Sequence, residues 1–233
     1  MIGIVVQLAI SWLLIWLFEK GNLSVLGFMP TSKRLRHFIL FFFITAVCAA
    51  TGFLLKWLIA GQRWMLNPNL DALLLLKGVW FTIKSVLFEE LIFRGVLLYI
   101  LIRKLGPTWA IIISACAFGI YHWFSHELWG NPVQMAFEFF GSGAMGMVLA
   151  YAYARTFSLY IPIAIHLGWN LVQMVVFSGN TIGDQLFVEM MPRPVVTISY
   201  FSFYFMQFFP LIICLLVNTW VIKKCKQVQL PTG

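Results

Sequence analysis

Ionisable and amide side chains occur inside stretches of this sequence that are otherwise strongly apolar. They form three spaced patterns and one isolated carboxylate: Glu89-Glu90-x-x-x-Arg94, Phe118-x-x-x-His122, His166-x-x-x-Asn170 and Glu138. A charged side chain in the hydrocarbon core of a membrane costs about 2.5–3.5 kcal/mol on insertion scales. Residues kept there at such a cost are expected to have a function. Carboxylates combined with histidines and an amide suit hydrolysis better than ion conduction.

The composition indicates a membrane protein. The 233 residues are 61% hydrophobic and 10% charged, with a mean hydropathy of +0.90, and a soluble domain of this length could not bury so much apolar surface. We predict a single integral membrane domain over residues 1–233. The net charge of +8 does not indicate nucleic-acid binding, because the basic residues are spread over loop ends, where lipid headgroups lie. The four cysteines are isolated from one another in the sequence and predict no disulfide framework.

Apolar segments of the length that a membrane helix needs recur seven times along the chain. They predict an all-α, polytopic membrane helix bundle with about seven transmembrane helices around a central intramembrane catalytic cavity. The predicted spans are 2–18, 37–60, 72–102, 107–124, 132–154, 158–178 and 197–222. Asn67-Pro68 and Asp71 are expected to cap the third span, and Gly106-Pro107 to end it.

The basic residues also predict an orientation. With the N-terminus outside, the inner loops and tail would hold ten Lys and Arg residues, and the outer loops would hold two, Arg63 and Arg193. Because basic residues concentrate on the cytoplasmic side, we predict an outside N-terminus and a cytoplasmic C-terminus.

The first pattern indicates two different roles for its two glutamates. Residues four apart share a helix face, so Glu90 can pair with Arg94 and neutralise a buried charge. Glu89 points about 100° away, and position 93, one turn further on, is a phenylalanine. We expect Glu89 to face a cavity and accept a proton. The alternative is that both glutamates belong to one ion-pair network.

The other patterns add hydrogen-bonding groups. His122 lies one turn after Phe118, and His166 shares a face with Asn170. Counted from the predicted inner loops at about 1.5 Å per residue, Glu89, His122 and His166 fall at similar depths and could converge. Glu138 has no visible partner, and both a network role and a cavity-lining role are open. The run Gly141-Ser-Gly-Ala-Met-Gly146 predicts close helix packing.

Other intramembrane chemistries fit less well. An aspartyl protease needs two buried aspartates, whereas Asp71 and Asp184 both lie near span ends. The zinc pattern H-E-x-x-H fails at His126, because position 130 is glycine. A different zinc site could use His122 and His126 at helical ligand spacing, completed by Glu89 or His166. His126 lies beside a polar loop, however, and we expect it outside the site.

The three patterns, in this order and each on its own helix, resemble those of the CPBP family. That family contains the CAAX endopeptidases and the bacteriocin-processing or immunity proteases, also called Abi. The resemblance covers about 85–171, within a core of about 72–178, and includes the segments 140–146 and 153–158. It implies a glutamate-dependent intramembrane endopeptidase. Members have also been described as metalloproteases.

These observations lead to one mechanistic hypothesis and two alternatives. We expect Glu89 to be the general base, His122 to hold the water, and His166 and Asn170 to stabilise the oxyanion. Glu90, Arg94 and Phe118 would support the site. No cofactor or metal is expected. The expected partners are the lipid bilayer and a peptide or protein substrate associated with the membrane. The alternatives are a zinc-dependent protease using the same residues and a non-catalytic peptide-binding or immunity protein.

Overall fold

The computed structural model describes residues 2–177 and 184–229, and this part of the chain is all-α, as predicted. Its α-helices are α1 (Ile2–Glu19), α2 (Ser32–Ala60), α3 (Ala72–Arg94), α4 (Val96–Ser125), α5 (Pro132–Thr156), α6 (Tyr160–Leu171) and α7 (Tyr200–Lys224). A 3₁₀ turn (Leu23–Leu26) follows α1, and a π-helical turn (Val172–Val176) continues α6. Two three-residue strands, β1 (Trp64–Leu66) and β2 (Phe187–Glu189), complete the described elements.

Four of the described helices, α1, α2, α5 and α7, are long and apolar enough to cross a membrane. The protein is therefore an integral membrane protein. Helix α6 together with its π-helical turn is apolar but shorter. The helices match the seven predicted spans in order, and crossing by α3, α4 and α6 stays a prediction, as does the orientation.

The third predicted span, 72–102, is wrong in its end point. Helix α3 ends at Arg94, and α4 begins at Val96. A Cβ atom at Gly95 would lie 2.2 Å from the carbonyl oxygen of Leu91, so the backbone there admits only glycine. The break predicted at Gly106-Pro107 is confirmed as a kink inside α4, where Gly106 has φ 79° and leaves the helical conformation.

Backbone contacts divide the chain into two compact units. Unit 1 comprises Met1–Phe38, Leu87–Ile163 and Asn218–Gly233, and unit 2 comprises Ile39–Val86 and Ala164–Val217. The largest apolar cluster of unit 1 joins α1, the first segment of α4 and the end of α5, with Ile15, Leu98, Tyr99 and Tyr153 fully buried. The single-domain organisation stays a prediction.

Within unit 1, α4 and α5 are held closely together. The Trp123 indole Nε1 donates a hydrogen bond of 2.7 Å to the Met135 carbonyl oxygen. A Cβ atom at Gly119 of α4 would lie 2.8 Å from the Phe139 carbonyl oxygen of α5. A Cβ atom at Gly146 would lie 3.0 Å from Cδ1 of Phe118. The packing role predicted for the glycine run is confirmed at Gly146.

In unit 2, the start of α3 is capped as predicted. Asp71 Oδ1 accepts hydrogen bonds from the backbone N–H groups of Leu73 (2.7 Å) and Leu74 (3.2 Å). The Asp184 carboxylate accepts hydrogen bonds from the Asn67 side chain (2.7 Å) and the Asp71 backbone (2.8 Å). Both aspartates therefore serve the turn before α3, where β1 and β2 pair antiparallel.

Gly119 and Gly143 make a matched pair for testing the α4–α5 contact. Gly119→Ala should destabilise the protein by about 1–3 kcal/mol, because the added methyl group overpacks against backbone. Gly143→Ala should be tolerated, since its Cβ atom would meet only the Ala115 carbonyl oxygen, at 3.6 Å. Thermal melts in detergent measure both. Equal melting temperatures for the two variants would contradict this account of the interface.

The predicted orientation can be tested by cysteine labelling in a background without the native cysteines. Arg63→Cys should react with an impermeant maleimide added outside, whereas Lys104→Cys should react only after the membrane is opened. Both side chains are exposed, so accessibility of the membrane side decides the result. Labelling of Arg63→Cys only from the cytoplasm would reverse the topology.

Candidate active site

The predicted ion pair between Glu90 and Arg94 is present at the end of α3, in unit 1. The Arg94 Nη1 atom lies 3.1 Å from Glu90 Oε1, and both side chains are fully buried. They meet because they are one helical turn apart. Removing one partner of such a pair leaves a buried charge without compensation.

Two further groups hold the Arg94 guanidinium. Its Nη2 atom donates a hydrogen bond of 3.2 Å to the Gly146 carbonyl oxygen of α5. Its central carbon lies 4.1 Å from the centroid of the Phe118 ring of α4. A cation over an aromatic face contributes about 2 kcal/mol where water is excluded. Arg94 therefore connects the end of α3 to both α4 and α5.

Phe118 also contacts His122. The two ring centroids lie 4.5 Å apart, with an interplanar angle of 68°. The His122 Nδ1 atom is 2.8 Å from the Phe118 carbonyl oxygen. A carbonyl oxygen only accepts hydrogen bonds, so Nδ1 carries the proton. In neutral His122 the Nε2 atom then has a lone pair available.

Glu89 is in the same neighbourhood of unit 1. Its side chain is 8% exposed, in contrast to the fully buried Glu90. Glu89 lies within electrostatic range of the His122 and Tyr121 side chains of α4. The structure thus brings five of the predicted site residues together in unit 1: Glu89, Glu90, Arg94, Phe118 and His122.

Glu138 has partners that the sequence analysis did not find. The Ser142 hydroxyl donates to Glu138 Oε1, and the His126 Nδ1 atom lies 3.5 Å from Glu138 Oε2. His126, expected outside the site, has its ring centroid 5.2 Å from that of His122. Hydrogen bonding to Glu138 raises the pKa of His126, and partial burial opposes this increase. The available signal was the four-residue spacing of His122 with His126 and of Glu138 with Ser142.

The remaining predicted residues, His166 and Asn170, lie on α6 within unit 2. His166 is buried and Asn170 is half-buried. Between them, Gly168 packs against α2 so closely that a Cβ atom would lie 2.6 Å from the Phe42 carbonyl oxygen. Both residues are about 200° around the helix from Gly168. The face that carries them therefore points away from α2.

Comparison with known protein families bears on this arrangement. Residues 71–172 match the family model described as type II CAAX prenyl endopeptidase Rce1-like. This segment is an Rce1-like CAAX endopeptidase domain. The predicted resemblance to the CPBP family is confirmed over it, and all the motif residues from Glu89 to Asn170 fall inside it. No curated protein and no solved structure was found to match the chain.

A domain similar to the Rce1-like CAAX endopeptidases implies a peptidase in the membrane that acts on a peptide or protein. The zinc alternative needs a set of ligands. In the part of the chain that the structure describes, no three His, Cys, Asp or Glu side chains are placed together to hold a metal ion. The described residues therefore do not fit the zinc site that the alternative requires.

Arg94 of the CAAX endopeptidase domain should be essential for stability. Arg94→Ala leaves Glu90 buried without its cation and should cost about 3–5 kcal/mol. Arg94→Lys should recover only part of this loss, because an ammonium group cannot both pair with Glu90 and lie flat on Phe118. Thermal melts of purified protein measure the effect, with exposed Lys104→Ala as the control. A wild-type melt for Arg94→Ala would disprove the structural role of the pair.

Proposed function

We propose that this protein is an intramembrane endopeptidase that hydrolyses a peptide bond with a water molecule activated by Glu89, without a covalent intermediate. The observation that carries the proposal is the state of His122. Its Nδ1 proton is committed to the Phe118 carbonyl oxygen, so its Nε2 atom can accept a hydrogen bond. Glu89 lies within electrostatic range of the same ring.

The Glu89 carboxylate and the His122 Nε2 atom both accept hydrogen bonds, so together they can orient one water molecule. In the proposed mechanism, one hydrogen of the water bonds to the Glu89 carboxylate and the other to His122 Nε2. The oxygen lone pair then faces the scissile carbonyl carbon. As the C–O bond forms, Glu89 takes the proton of the water, and it later delivers that proton to the leaving nitrogen as the C–N bond breaks.

The choice of Glu89 over Glu90 as the base rests on their surroundings. Glu90 is fully buried and bonded to Arg94, so protonating it would leave the guanidinium without its counter-charge. Glu89 retains some exposure. Glu90 and Arg94 therefore act as the anchor of the helix end that carries the base.

We propose His166 and Asn170 as the donors to the oxyanion that develops on the scissile carbonyl. An amide N–H and an imidazole N–H are suitable donors for such a charge, and fixed donors typically contribute about 10²–10³ in rate. Both lie on the face of α6 that points away from α2.

A prenylated CAAX peptide is the first substrate to test. The family description names a CAAX prenyl endopeptidase. In unit 1, an apolar cavity of about 380 Å³ is lined in part by Leu87 and Leu91 of α3. Both are two residues from Glu89, about 200° around the helix, so this cavity lies on the opposite face of α3 from the proposed base and is not assigned to the substrate.

The proposal predicts that Glu89→Gln abolishes cleavage while the protein stays folded. Losing a general base typically costs about 10²–10⁴ in rate. The assay uses an internally quenched farnesylated CAAX peptide, and its unprenylated form, with protein in lipid vesicles. Glu127→Gln, at an exposed glutamate outside the site, is the matched control and should cleave normally.

The same assay separates the alternatives. Near wild-type turnover by Glu89→Gln would remove this residue as the base. Peptide binding without cleavage by the wild type would favour a peptide-binding protein. About one zinc per chain by elemental analysis, with activity lost to a chelator and restored by zinc, would favour the metal-dependent alternative.

A further inference from the structure

The Glu138 carboxylate is held at both of its oxygens. Ser142, one turn later on α5, donates its hydroxyl to Oε1, and His126 of the α4 end faces Oε2 at 3.5 Å. The Glu138 side chain is 28% exposed and that of His126 is 51% exposed. A carboxylate bound on both sides has little rotational freedom, so it fixes the position of the group that it binds.

His126, which the Glu138 carboxylate binds, is in contact with His122. The His126 and His122 rings meet edge to face, with centroids 5.2 Å apart and planes at 81°. Phe118 and Tyr121 contact the same His122 ring, with centroids at 4.5 Å and 5.5 Å. His126 is thus a third ring in contact with His122, and its Nδ1 atom lies 3.5 Å from the Glu138 carboxylate of α5.

The meeting of Glu138 with His126 depends on the register between α4 and α5. That register is set independently by the Trp123 hydrogen bond to Met135 and by the close approach at Gly119. The helices would therefore keep their alignment without Glu138. The contact between Glu138 and His126 is therefore not needed to join α4 and α5, and it can serve to position a side chain of the site.

We propose that Glu138 is a positioning residue of the site: it holds the His126 ring against His122 and thereby fixes the direction in which His122 Nε2 points. The inference rests on the proposed function, because it takes His122 as the group that orients the water. Glu138 does not touch the substrate, and its effect on the position of the His122 ring is exerted through His126. Ser142 assists by fixing the carboxylate.

A purely structural contact would behave differently in kinetics. If Glu138 only stabilised the protein, its loss would lower the melting temperature and the folded fraction, and kcat per folded molecule would be unchanged. If it positions His122, kcat per folded molecule falls while KM changes little, since a displacement of a catalytic group on the scale of 1 Å can cost up to about 10² in rate.

The test is a double-mutant cycle with the farnesylated CAAX peptide, normalised to folded protein. Glu138→Ala and His126→Ala should each lower kcat about tenfold, with KM within about twofold of wild type. The double variant should also lose about tenfold, because both changes remove the same contact. Gln134→Ala, at an exposed position of α5, should match the wild type.

Glu138→Gln provides a second variant if Glu138→Ala folds poorly. It keeps the size of the side chain and loses the ion pair, so it should show the same fall in kcat. A hundredfold loss in the double variant, or an unchanged kcat in Glu138→Gln, would overturn the inference. Glu89→Gln is measured in parallel: full activity there would refute the proposed function itself, whereas an inactive Glu89→Gln with normal Glu138 variants would refute only this positioning role.

Discussion

The buried ion pair between Glu90 and Arg94 is the constraint on which the rest of the described site depends. Neither side chain has any exposed surface, and an isolated charge in such surroundings costs several kcal/mol. The guanidinium is therefore held by several partners, among them the Glu90 carboxylate, the Gly146 carbonyl oxygen and the Phe118 ring. Because these partners belong to three helices, satisfying one cation fixes how α3, α4 and α5 meet.

Phe118 transmits this constraint to the chemistry. One ring contacts both the guanidinium and the His122 imidazole, and the backbone carbonyl of the same residue sets the His122 tautomer. Gly146 contributes by having no side chain, since a Cβ atom would approach both Phe118 and Arg94. Phe118, an apolar residue, is thus the physical link between the ion pair and the histidine.

Local spacing predicted much of this arrangement. The Glu90–Arg94 pair, the Asp71 cap and the Gly106 break follow from contacts within one or two turns of chain. The contact of Glu138 with His126 was not predictable in that way, because it depends on the register of α4 against α5. The contact with Ser142 lies within one turn of α5 and was available from the spacing. The end of α3 before Gly95 was not predicted for a similar reason. In the sequence, a glycine in an apolar run resembles a packing residue. Only the folded backbone shows that a Cβ atom at this position would clash with the Leu91 carbonyl oxygen.

The charge content of α3 has a consequence for how the protein is made. This helix is not among the four in the described residues that are apolar enough to cross a membrane by composition. The carbonyl oxygen that Arg94 needs, at Gly146, is synthesised 52 residues after it. A ribosome-bound chain therefore presents α3 to the insertion machinery before its charges can be satisfied. If α3 crosses the membrane as predicted, its stable burial requires α4 and α5, and we expect these three helices to enter the bilayer as a cooperative group.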